Sequence, residues 1–232
     1  TGGMATAVPS IDCGAAATTL RLLLPAALAL YGEANFTGAP SLMSRPLEPY
    51  FRLFRERGIE YELNDNCLRV RGRLLAGEYA LPGDVSSQFF SGLLLALPLL
   101  DSESRLRAES PIQSRPYIDM TLDSMKRHGV SVTQGKNEFI IAPQRYLGCD
   151  CAVESDWSHA ALWLAARELG NDISILGMTE KSVQGDRIFM EYLRALHSDR
   201  DIALDVSQCP DIVPPLALAA ALYPAFRTEQ TA

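Results

Sequence analysis

Asp84, Ser86, Ser87 and Gln88 stand directly ahead of a strongly apolar run, Phe89-Phe90-Ser91-Gly92-Leu93-Leu94-Leu95-Ala96-Leu97. Residues 86–98 read as a helix, so a carboxylate, two hydroxyls and a carboxamide gather at the mouth of a buried element. The first turn of a helix has free backbone N–H groups and a partial positive charge, and it attracts phosphate. The two hydroxyls add donors, and the Gln88 amide can read a ligand hydroxyl. An Asp or Ser N-cap on a core helix accounts for one such residue. Four of them point to a ligand as well as a cap.

The elements that must position this group alternate between α and β. Residues 16–31 read as a Leu- and Ala-rich helix, and 47–57 as an amphipathic helix stopped by Gly58. Short alternating runs over 59–63 and 68–72 predict strands joined at Asn64-Asp65-Asn66. A strand is expected at 105–108 and a helix at 117–127 that stops at His128-Gly129. Strands over 130–133 and 138–142 should pair across Gly135-Lys136-Asn137. Strand, apolar helix, strand, amphipathic helix and two strands recur with a period of roughly 70 residues. Polar-capped apolar helices recur near Thr18, Ser86, Ser158 and Val213. They are apolar around most of their circumference and must be buried on nearly all sides. The fold class is therefore α/β, built of repeated βαβαββ units with buried helices.

At 232 residues the chain suffices for one large domain or two small ones. A net charge of −7 offers no basic stripe for nucleic acid, yet allows a local cationic pocket. The apolar runs at 20–30 and 89–100 are too short to cross a bilayer, so no membrane partner is expected. No basic segment followed by an apolar one marks a signal peptide, and Thr1-Gly2-Gly3 reads as a remnant ahead of Met4. The five cysteines are scattered, Cys149-Asp150-Cys151 matches no zinc spacing, and His128, His159 and His197 form no metal pattern. Free thiols in a reducing cytoplasm, and no metal, are the expectation.

Ser86-Ser87-Gln88-Phe89 followed by Ser114-Arg115-Pro116-Tyr117-Ile118-Asp119 resembles, in order and spacing, the EPSP synthase family of 3-phosphoshikimate 1-carboxyvinyltransferases. Asp12-Cys13-Gly14 leading to Thr18-Thr19-Leu20-Arg21 is similar to the family's helix start, and Ser44-Arg45-Pro46 to its Arg-Pro motif. Gln184-Gly185-Asp186 and Pro210-Asp211-Ile212 are similar to its later landmarks. The resemblance implies two lobes of three repeat units each. Residues 1–148 would be most of the first lobe, with two repeat units. Residues 149–232 would be part of the second, with one unit.

The resemblance also implies a reaction. The enolpyruvyl group of phosphoenolpyruvate moves to the 5-hydroxyl of shikimate 3-phosphate and phosphate leaves, with no metal or organic cofactor. Both substrates are multiply anionic, so the site must supply cations and oriented donors. By this comparison Ser86, Ser87 and Ser114 donate to the shikimate phosphate, Gln88 contacts substrate near the reacting centre, and Tyr117 lies against the shikimate ring. Arg45 pairs with phosphoenolpyruvate in a two-pronged geometry, Thr18 belongs to the binding helix start, and Asp211 contacts the reacting 5-hydroxyl. Asp84, Asp156 and Asp186 read as caps or structural residues.

The helix start departs from the family pattern. Ala15 stands where the family has Asn, and Ala17 where it has Gly. An amide facing phosphoenolpyruvate is lost, and a methyl projects where backbone should approach the ligand. The family associates such an Ala with tolerance to glyphosate. The family's N-terminal unit and its C-terminal cationic residues have no counterpart, so the chain reads as the central half of a longer enzyme. A non-catalytic fragment that only binds shikimate 3-phosphate or a partner half is the alternative. Self-association through surface left by the missing units is expected. The sister transferase acting on UDP-N-acetylglucosamine shares the fold, but the Ser-Ser-Gln and Ser-Arg-Pro-Tyr pair belongs to the shikimate branch.

Overall fold

The computed structural model describes residues 8–198 and 202–221. The expected remnant at 1–3 and everything from 222 onward lie outside the described residues. Two compact units are present. The first comprises residues up to 113 and 121–149, and the second 114–120 and those from 150.

The first unit contains the βαβαββ pattern twice. It runs β1 (Ser10–Asp12), α1 (Ala17–Tyr31), β2 (Glu33–Thr37), the single turn α2 (Pro40–Met43), α3 (Glu48–Arg57), β3 (Glu60–Leu63) and β4 (Cys67–Arg71). The second pass is β5 (Glu78–Leu81), α4 (Ser87–Ala96), β6 (Ser104–Ala108), α5 (Arg115–Arg127), β7 (Thr133–Gln134) and β8 (Glu138–Ile141). The sheet orders are β1-β2-β4-β3 and β5-β6-β8-β7. In each sheet the first two strands are parallel and the remaining pairs antiparallel. The first turn of α5 packs with the second unit.

Local chemistry explains the boundaries. α1 ends at Gly32 and α3 at Gly58, both left-handed at φ 72° and 66°, the usual glycine stop. α4 buries Phe89, Phe90, Leu93 and Leu94, as an all-round apolar helix requires. It then tightens into a 3-10 turn over Leu97–Leu99, where Pro98 cannot donate. Polar capping holds for only two of the four recurring helices. Ser86 caps α4, and Asp156 rather than Ser158 caps α6 (Trp157–Glu168). α1 begins at Ala16 and α8 (Val213–Ala220) at Ile212, each without a side-chain cap.

One irregularity organises the first unit. Pro25 lies inside α1 and has no N–H to give the carbonyl four residues earlier, that of Arg21. The fully buried Tyr50 supplies the missing donor. Its hydroxyl lies 2.9 Å from the Arg21 carbonyl and 3.0 Å from that of Phe89 on α4. Its ring meets Phe89 edge-on with centroids 4.8 Å apart. Gly92 makes room for this junction, because a Cβ there would collide with both the Tyr50 hydroxyl and the Arg21 carbonyl.

The second unit is helical among its described residues. α6, α7 (Phe189–Leu196) and α8, with 3-10 turns at Gly185–Ile188 and Pro210–Ile212, enclose Trp157, Leu164, Phe189, Ile212 and Leu216. Leu162, Trp163 and Leu176 stay exposed. Among the described residues no helix is long and apolar enough to cross a membrane.

Tyr50→Phe leaves the Arg21 carbonyl buried without its donor and is expected to destabilise the chain by about 1–3 kcal/mol. Gly92→Ala is expected to destabilise it at least as much, because the obstacle is backbone as well as side chain. Urea unfolding followed by circular dichroism measures both. A neutral Tyr50→Phe would show that something else satisfies that carbonyl.

Candidate functional site

The first-unit candidates gather at the starts of α1 and α4. Asp12 Oδ1 accepts the Gly14 N–H at 2.9 Å. Gly14 turns with φ 54°, and α1 then begins at the extended Ala16 with no side chain on its first N–H groups. An uncapped helix start of this kind is a ready anion site. Exposed Thr18 lies in the first turn. Its hydroxyl accepts from Gln88 Nε2 at 2.9 Å, and Gln88 Oε1 accepts from Arg21 Nη1 at 3.0 Å. Arg21 Nη2 donates to the Pro46 carbonyl at 3.2 Å, and the guanidinium sits 4.7 Å above the Phe89 ring. Burial lowers the Arg21 pKa, and the Arg45 charge adds to that lowering against the opposing influence of Tyr50. Arg45 itself is exposed beside Pro46.

The mouth of α4 divides its four polar residues between roles. Ser86 is an N-cap, accepting the Gln88 N–H at 3.3 Å. Ser87 is buried. Asp84 accepts the Ser110 hydroxyl at 2.8 Å, and the Ser110 oxygen in turn accepts the Gly83 N–H at 2.9 Å. Asp84 is thus structural, as expected. Ala15 is exposed, but Ala17 is 7% exposed.

In the second unit the candidates surround a buried carboxylate, one of those that read as caps or structural residues. Asp186 is 3% exposed, and the Tyr117 hydroxyl donates to its Oδ1 at 3.0 Å. Burial raises the Asp186 pKa, the Tyr117 hydrogen bond opposes, and the Asp211 and Asp156 charges add to the rise. Burial, then the charges of Asp186 and Asp211, push the Tyr117 hydroxyl well above its ordinary range. The same influences lift Cys209 to about 11. Each residue of Gln184-Gly185-Asp186 has a physical task. Gln184 accepts the Trp157 N–H and donates to the Ser155 carbonyl, both at 2.8 Å. A Cβ on Gly185 would lie 2.5 Å from Pro116 Cβ and 2.9 Å from Cys209 Sγ.

Ser114 has φ 54°, the one positive value at a non-glycine among the described residues. That conformation costs about 1–2 kcal/mol, a strain of the kind that marks functional positions. Arg115 is engaged structurally, its N–H on Gln208 Oε1 at 3.1 Å and its Nε on Asp119 at 2.8 Å. Asp211 is exposed in the turn before α8 and does not cap it, since the cap position is Ile212. It lines a depression with His159, Leu162 and Pro215.

Sequence reasoning assigned no role to Arg21 or Tyr50. Arg21 stood at the end of a noted motif, whereas Tyr50 reads only as one more apolar position of α3. None of the five cysteines forms a disulfide among the described residues. His128 and Cys149 of the first unit bring their ligand atoms within 4.8 Å of each other, a proximity their spacing did not suggest.

A carboxyl whose pKa is raised on folding adds stability below its unfolded value and loses it as pH rises through the folded value. Asp186 is therefore expected to weaken the chain as pH climbs from about 4 towards neutrality. Asp156 works in the opposite sense. Burial pushes it up, but hydrogen bonds from Ser158 and His159 outweigh that and hold it low, so its contribution is lost as pH falls. Melting curves across that range for Asp186→Asn, which keeps an acceptor for Tyr117, should show the variant gaining on the parent as pH rises. Parallel curves would mean that the buried carboxyl does not titrate there.

The model of the family described as EPSP synthase (3-phosphoshikimate 1-carboxyvinyltransferase) matches residues 2–201. Among curated proteins, the 3-phosphoshikimate 1-carboxyvinyltransferase of Clostridium kluyveri is 37% identical over 233 residues, covering 92% of this chain and 55% of that protein. The protein of the same name from Clostridioides difficile is 38% identical over 232 residues, covering 92% and 53%. A solved structure, the EPSP synthase of Acinetobacter baumannii, shares the fold with a TM-score of 0.67 at 21% identity, covering 92% of this chain and 54% of its own. The chain spans about half the length of the relatives it matches. On the extent of the family match, it belongs to the EPSP synthase family.

Proposed function

We propose that this chain carries part of the machinery that transfers the enolpyruvyl group of phosphoenolpyruvate to the 5-hydroxyl of shikimate 3-phosphate, releasing phosphate. Family membership supports the reaction. The single observation that carries the reading is the uncapped start of α1, with Thr18 and Gln88 at its mouth and the Arg45 charge near enough to bear on Arg21. A chain of net charge −7 keeps two guanidiniums together only where an anion has use for them. In this reading Arg45 and the α1 start receive phosphoenolpyruvate. Ser86, Ser87 and Ser114 donate to the phosphate of shikimate 3-phosphate, Gln88 and Tyr117 orient it, and Asp211 takes the 5-hydroxyl proton.

Calorimetric titration of the chain tests this. Shikimate 3-phosphate is expected to bind, and Ser86→Ala and Ser114→Ala are each expected to weaken it about tenfold, the worth of a hydrogen bond to a charged group. In the same titrations Ala15→Asn should raise phosphoenolpyruvate affinity severalfold by restoring an amide. No binding of either compound, or binding that ignores the serines, would make this chain a structural portion whose site needs the rest of the protein.

The second unit's exposed Leu162, Trp163 and Leu176 support self-association, since apolar surface of this kind marks an interface. Sedimentation velocity is expected to show a dimer, and Trp163→Ser to shift it towards monomer. A monomer at all concentrations would refute this.

A further inference from the structure

Resting on the anion-binding reading of the α1 start, we propose that Arg21 is a positioning residue that sets the direction of a hydrogen-bond chain through Gln88 to Thr18, so that both present protons to a bound anion. The direction follows from the groups themselves. A guanidinium only donates, so the Gln88 atom 3.0 Å from Arg21 Nη1 must be the carbonyl oxygen Oε1. The other end of that amide is therefore NH₂, and it donates to Thr18 Oγ1 at 2.9 Å. The Thr18 oxygen is occupied as an acceptor, which leaves its one proton for a partner elsewhere. The second Gln88 Nε2 proton is likewise uncommitted.

Without Arg21 the amide can turn over. Gln88 would then offer an oxygen to Thr18, the Thr18 proton would turn inward to meet it, and the site would face an anion with acceptors. With Arg21 in place, each bond polarises the next in one sense. Arg21 is well held for this task. Its backbone carbonyl is pinned by Tyr50, its second Nη by the Pro46 carbonyl, and its plane by the Phe89 ring. These contacts engage both Nη atoms, while its Nε is buried without a hydrogen-bond partner, so it works through Gln88 and the exposed Arg45 stays available to a ligand.

Two readouts test the inference and separate it from the binding reading. The first needs no ligand. The Gln88 side-chain amide resonances, identified by their loss in Gln88→Ala, should show a rigid, dispersed NH₂ pair in the full chain. In Arg21→Met they should collapse to the averaged position of a solvent-exposed glutamine, while core methyl signals stay in place. An averaged pair in the parent chain, or an unchanged pair in Arg21→Met, overturns the proposal. If Arg21→Met does not fold, the parent spectrum decides alone.

The second readout is a double-mutant cycle on phosphoenolpyruvate affinity. Arg21→Met should weaken binding about tenfold in the parent and far less in the Gln88→Ala background, because the two residues act as one unit. Equal losses in both backgrounds would make Arg21 a plain charge and overturn the positioning role. Absence of binding in the parent chain would count against the binding reading and leave the amide spectrum to judge Arg21.

Discussion

The first unit depends on how one orphaned carbonyl is satisfied. Pro25 removes the donor that Arg21 would have had within α1, and a buried carbonyl without a partner costs about 1–3 kcal/mol. Tyr50, from α3, shares its one hydroxyl proton between it and the Phe89 carbonyl of α4. Three helices from both repeats thus meet at one hydroxyl, and Gly92 is the only kind of residue that lets them come that close. Because the junction falls at Arg21, the backbone of the residue that reaches Gln88 is among the best-fixed points of the unit. Function and stability share a residue here, with the carbonyl serving the core and the guanidinium serving the helix mouths.

The electrostatics of that mouth are deliberately unbalanced. α1 has neither a capping side chain nor an acidic residue in its first turn, although either would have added stability. Burial lowers the pKa of Arg21 and the Arg45 charge adds to it, and neither guanidinium pairs with a carboxylate among the described residues. Elsewhere the chain neutralises its arginines in ordinary fashion, as in Arg52 with Glu109 and Arg127 with Asp123. The uncompensated positive potential is local, and an anion entering there recovers what the fold forgoes.

Much of this was legible in the sequence, for identifiable reasons. Period and punctuation gave away the repeat, because Gly32 and Gly58 stop helices by a local rule. The polar cluster at residues 84–88 stood out because apolar helices seldom begin with four polar side chains. What stayed hidden was long-range. Tyr117 and Asp186 are far apart in sequence, so nothing near Asp186 announces that it is a buried acceptor. The left-handed Ser114 was invisible because only its surroundings enforce φ 54°.

The duplication itself supplies the reason the site lies where it does. Thr18 is the second residue of α1 and Gln88 the second residue of α4, the equivalent helices of the two repeats. Their side chains are directly bonded. Two copies of one βαβαββ unit, packed through their apolar helices, therefore place two helix N-termini side by side. Each end has unsatisfied N–H groups and a partial positive charge, so the pairing is unfavourable in isolation and favours any anion that enters between the two first turns. A single repeat would offer one helix end, which water satisfies readily. The paired ends, braced by Tyr50 and given direction by Arg21, bring several donors together, and in this chain that convergence follows from packing the duplicated helices against one another.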